Sequence, residues 1–216
     1  MHNAPPKDFL DDQFPNALRP VIPTTLRTAY SAAKLVAEQE PFLQVASAKA
    51  NFGRLVSWSV DKAFETACQT GALPFDYEWR SFDKPTGKYL ALRPSHSVVT
   101  ISLVRNPARQ PRQVSFRNNA RLNNEPWLFD PPDEELAVRG EPHILLAHRH
   151  VDPWFAHLGI PHPHDAYDYS YRTKNLFQLP HAIESAGPPP EDTDTDFDAV
   201  QLLKEDIEKW RRDNGE

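Results

Sequence analysis

The sequence predicts an α+β fold, with N-terminal helices packed on a mainly antiparallel sheet and an acidic linker and C-terminal amphipathic helix appended. Three observations lead there. Apolar residues recur at helical spacing from Leu26 to Ala37 and again from Phe52 to Ala67. After Pro74 the pattern changes to alternation, in runs rich in the β-branched and aromatic residues that suit a pleated surface. From Gly187 three prolines and a series of repelling carboxylates give a stiff extended segment, and Phe197, Val200, Leu203, Ile207 and Trp210 then fall on one helical face.

Residues 1–23 hold Pro5, Pro6, Pro15, Pro20 and Pro23, and their spacing predicts an extended arm. Thr24 or Thr25 is placed to cap a helix over 25–39, which Glu40-Pro41 stops. A second helix carries Phe52, Val56, Val60, Phe64 and Ala67 on one face, and Gly71 stands where a left-handed C-terminal cap belongs. Cys68, near its end, reads as a small apolar core residue rather than a reactive thiol. Strands are expected over 77–82, 89–93 and 98–104, with 114–117 as a further one, forming an antiparallel meander. Residues 123–142 read as a connection. The run Ile144-Leu145-Leu146-Ala147 predicts a central strand, and a last strand carries Tyr167, Tyr169 and Tyr171, extended over 176–179.

The domain organisation expected is an arm over 1–23, one α+β domain over 24–186, and the linker and helix over 187–216. The single cysteine excludes an internal disulfide and a cysteine-based zinc site, so a reducing, cytoplasmic setting is expected. No run approaches the roughly 20 apolar residues that cross a bilayer, so the protein is expected to be soluble, with no membrane partner.

Charge is segregated along the chain. Lys84, Lys88, Arg93, Arg105, Arg109, Arg112, Arg117 and Arg121 lie in a stretch, 84–124, that contains no Asp or Glu, although acidic residues outnumber basic ones 30 to 24 overall. Residues 105–112 include two prolines and so predict an exposed loop carrying three guanidinium groups. Arg105, Arg109, Arg112, Arg117 and Arg121 are candidate phosphate contacts, because guanidinium forks match phosphate oxygens and keep their charge. If Tyr167, Tyr169 and Tyr171 share one strand face, they supply the stacking platform used for single-stranded nucleic acid. The expected partner is therefore an anionic macromolecule, either an acidic protein or nucleic acid. The competing reading pairs these arginines with the chain's own carboxylates, those of residues 191–198 among them. In that case the acidic linker competes with the partner for the same surface. The C-terminal helix docks its apolar stripe on its own domain or on a partner.

A second candidate is His148-Arg149-His150-Val151-Asp152. On a strand His148, His150 and Asp152 point the same way, so two imidazoles and a carboxylate can converge on one divalent metal such as zinc, with His157, His162 or His164 completing the set. The run is partly similar to the His-x-His-x-Asp segment of several metallohydrolase families, although Pro153 stands where their next His would be. Glycine-rich phosphate loops, dinucleotide fingerprints and nucleophile elbows are absent. Two function classes follow: a non-enzymatic binding or regulatory protein that needs no cofactor, which the charge pattern favours, and a metal-dependent hydrolase.

Overall fold

The structure, a computed structural model, describes residues 5–82, 87–125, 140–149 and 153–179. The helices among them are α1 (Pro6–Gln13), α2 (Val21–Gln39), α3 (Ala46–Ala50), α4 (Phe52–Gln69) and α5 (Ser115–Leu122). The strands are β1 (Asp76–Ser81), β2 (Lys88–Arg93), β3 (Val98–Val104), β4 (His143–Arg149), β5 (Ala156–Pro161) and β6 (Tyr169–Arg172). They form a mixed sheet in the order β1-β2-β3-β4-β5-β6, an α+β arrangement. Only the β3–β4 pair is parallel, and the other four pairings are antiparallel.

The proline-rich start is helical from Pro6, not extended. Pro6 occupies the first helical turn, where its missing N–H would have had no partner, and α1 brings Leu10 into the core, with Phe14 directly behind it. Arg19 holds the following turn by donating to Phe14 O at 3.1 Å and to Asp11 Oδ1 at 2.6 Å. Helix α2 likewise begins at Val21 rather than near residue 25. Pro23 lies within its first turn and costs no backbone hydrogen bond there, while Thr24 donates back to Pro20 O instead of capping. Ile22, Leu26, Ala29, Ala33 and Val36 give α2 its buried stripe, and Val56, Val60, Phe64 and Ala67 give α4 the matching one. Gly71 ends α4 with φ 76°, and its N–H donates to Cys68 O. The Cys68 thiol is pushed up to about 11, first by burial and then by Asp76 and Glu65, which fits an inert side chain packed against the core.

Strand register sorts the sheet into two unlike faces. Leu90, Leu92, Val99, Ile144, Leu146, Leu158 and Ile160 point to α1, α2 and α4 and form the main core with them. The opposite face presents Tyr89, Ala91 and Arg93 on β2, Thr100 and Ser102 on β3, His143, Leu145 and Ala147 on β4, and His157 and Gly159 on β5. Helix α5 lies over this second face. It replaces the strand expected at 114–117: Phe116 and Ala120, one turn apart, turn toward Tyr89 and the sheet, and the Phe116 ring stacks on Tyr89 at 4.8 Å. The expected extension of the last strand over 176–179 is instead a 3-10 turn, Leu176–Gln178, capped by the Asn175 side chain.

No described helix is long and apolar enough to cross a membrane. The linker and terminal helix expected over 187–216 lie outside the described residues.

Candidate anion-binding face

The chain between β3 and β4 must travel back along the sheet to start a parallel strand, and α5 lies on that return. Asn124, just past α5, fixes where it lands. Its side-chain amide donates to His143 O and Pro161 O at 3.0 and 2.9 Å, and its Oδ1 accepts from His143 N at 2.6 Å. One side chain thus ties the helix end to the ends of β4 and β5. Asn123 adds a bond to Glu141 O.

Clamped this way, α5 points Arg117, Asn118 and Arg121 along one flank into a cleft with His143 on its floor and Pro161 and Ala166 on its far wall. Arg117 donates through Nη2 to Ser102 Oγ and through Nη1 to Arg112 O, both at 2.9 Å, and its guanidinium carbon lies 4.9 Å from the Phe116 ring centre. Its Nε, the Nε and Nη1 of Arg121, and His143 Nδ1 are buried without a hydrogen-bond partner among the described residues. No carboxylate among the described residues pairs with either arginine. Burial, and then the neighbouring Arg112, lower Arg117 to about 10, so it keeps its charge at neutral pH. His143 shares a 2.8 Å bond between Nε2 and Thr100 Oγ1, and burial, reinforced by Arg117 and Arg80, lowers it to about 3. It is neutral where the arginines are charged.

The predicted loop is present and folds onto the same surface. Arg105, Arg109 and Arg112 are exposed and carry no ion pair among the described residues. Gln110 donates to Asp168 O and Arg172 to Pro107 O, so β6 and the turn before it hold the loop beside α5. Arg112, Arg117 and Arg121 line the same cleft, and Arg105 and Arg109 stand exposed on the loop that leads into it. Arg93, also in the basic stretch, is neutralised instead by Glu78 at 3.0 Å and by a two-pronged pair with Glu141 at 2.7 Å.

The three tyrosines do not share a face. Ile160 pairs with Tyr171 but Pro161 pairs with Tyr169, so an extra residue bulges from β6 and reverses the alternation. Tyr171 packs against the helix-side core, whereas Tyr169 lies over Gly159 on the arginine side, near His157 and with Arg172 5.7 Å from its ring. Burial raises the Tyr169 hydroxyl to about 12, and burial followed by Arg172 lowers His157 to about 4, so both are neutral. Tyr167, 73% exposed, sits in the turn beside the cleft.

Of the metal candidates, His148 is described. It is buried under α2, with Nδ1 2.7 Å from the Tyr30 hydroxyl, on the helix side of the sheet. His157 is on the other side, so the two cannot share an ion. His162 Nδ1 accepts from the backbone of His164 and Asp165. His150 and Asp152 lie outside the described residues, and among the described ones no three His, Cys, Asp or Glu side chains are grouped to hold a metal.

Sequence reading missed His143, Thr100 and Ser102. Their parity along β3 and β4 could have placed them on one face once the parallel pairing was known, but nothing local marked the pairing. The sequence matches no protein-family model, and comparison with curated proteins and with solved structures likewise yields no match.

Proposed function

We propose that this protein is a non-enzymatic binding module for an anionic macromolecule, and that single-stranded nucleic acid is the partner its arginine face suits best. The observation that carries the reading is the pair Arg117 and Arg121, cations with buried N–H groups that no described side chain satisfies. A buried, unanswered donor is costly, and an incoming oxyanion relieves that cost while forming charge-assisted bonds. Arg105, Arg109 and Arg112 extend the positive surface outward, and exposed Tyr167 offers a ring for a base. The cleft's described lining holds arginines, amides and a neutral imidazole but no carboxylate to act as base or metal ligand, which supports binding over hydrolysis.

The test is fluorescence anisotropy with labelled single- and double-stranded DNA and RNA and with polyglutamate, at several salt concentrations. Tighter binding of the single strands, falling steeply with salt, supports the reading. Preference for polyglutamate would transfer the face to an acidic protein partner. Absence of binding to any polyanion at low salt would overturn it.

A further inference from the structure

We propose that the edge strand β1 pairs antiparallel with β1 of a second copy of this chain, joining two sheets into one across a two-fold axis. The two edges of the sheet are unlike. Strand β6 has four residues, is bulged where Ile160 and Pro161 pair with it, and has the 105–112 loop fastened beside it by Gln110 and Arg172. Short, bulged and covered edges resist adding a strand. Strand β1 has none of these devices. Its six residues keep unbroken register with β2 and include no proline, glycine or lysine, and among the described residues no strand pairs with its outer side.

The backbone decides which residues a copy meets. Phe82 N–H donates to Gly87 O, so alternation along the ladder bonds Asp76, Glu78 and Arg80 to β2 and turns the N–H and C=O groups of Tyr77, Trp79 and Ser81 outward. A copy docks with Trp79 opposite its own counterpart and Tyr77 opposite Ser81, forming about six backbone bonds. In that register Glu78 stands directly opposite Arg80 of the second copy, at the closer, non-hydrogen-bonded positions, and symmetry repeats the pair. A slip of two residues either way sets Glu78 against Glu78 or Arg80 against Arg80. Charge thus selects one register. The side chains above the edge agree. Trp79 donates to Glu65 Oε1 at 2.9 Å yet is 43% exposed, and Trp58, 62% exposed, lies two turns before Glu65 on the same stripe of α4. A second copy on β1 brings its own helix layer alongside both indoles.

The experiment is sedimentation equilibrium on the full chain, with amide hydrogen exchange followed along β1. The unaltered protein is expected to dimerise as its concentration rises. Glu78→Arg and Arg80→Glu each set like charges opposite one another and should weaken self-association at least about tenfold. An equimolar mixture of the two variants should restore it, because each then faces its complement. Exchange at the Tyr77, Trp79 and Ser81 amides of the unaltered protein should slow on dimerisation, while that at Asp76, Glu78 and Arg80, already bonded to β2, stays unchanged. This second readout stands whether or not the variants fold. A chain that remains monomeric to about 1 mM, a dimer that leaves those three amides unprotected, or folded variants whose mixture does not associate would overturn the pairing.

Discussion

Arg117 reaches across from α5 to donate to Ser102 on β3 at 2.9 Å, on the face of the sheet opposite the long helices. That bond fixes a cation against a sheet with no described carboxylate to answer it, while Arg93, farther along the same face, is held by Glu78 and Glu141. The charge in this stretch is thus divided into a neutralised part and an available part.

Replacing Arg105, Arg109 and Arg112 together with Ala should weaken single-strand binding and flatten the plot of log affinity against log salt by about 2, since each lost phosphate contact on a single strand removes about 0.7. These side chains are exposed, so thermal stability should change little. Anisotropy and a melting curve on the same preparation check both.

Gly159 lies under the Tyr169 ring, and a Cβ added there would meet Cδ1 at 2.5 Å and Cε1 at 2.6 Å. Gly159→Ala should therefore destabilise the fold by about 1–3 kcal/mol through overpacking. Chemical denaturation measures the loss.

Stability should fall as pH drops from about 6.5 toward 4. His143, lowered to about 3, and His157, lowered to about 4, stay neutral when folded but take up protons when unfolded, so acid favours the unfolded chain. Asp61, raised by burial and then by Glu65 to about 7, acts in the opposite sense, because it holds a proton in the folded state over the same range. Two groups against one leave a net uptake of about one proton on unfolding, or about 1.4 kcal/mol per pH unit. Denaturant titrations at pH 4.5, 5.5 and 6.5 should show that slope, and His143→Gln should reduce it toward zero.

Removing residues 187–216, with the carboxylates of 191–198, should strengthen polyanion binding if the linker competes for the arginines. Equal or weaker binding by the shortened chain would exclude that competition.

Long, strongly periodic segments were legible in the sequence. The stripes of α2 and α4 and the β-branched run of β3 carry enough repeats for the period to be unmistakable. The apolar contacts of helix α5 with the sheet rest on Phe116 and Ala120, and two positions one turn apart do not establish a period. Helix α1 was hidden by prolines that read as breakers yet stand in or beside its first turn, where they are harmless. The bulge that separates Tyr169 from Tyr171 depends on the pairing partner, Pro161, and so leaves no trace in β6 itself. The loop arginines were visible as charge. The cleft was not, because it requires α5, the parallel β3–β4 pairing and the Asn124 clamp together.

The most direct test is the salt dependence of single-strand affinity for the unaltered chain and for Arg117→Gln with Arg121→Gln. Contacts by all five arginines predict a slope of about −3.5, and loss of the two in the cleft should reduce it by about 1.4. A slope identical in the two proteins, or no binding by the unaltered chain at low salt, would contradict phosphate recognition by this face.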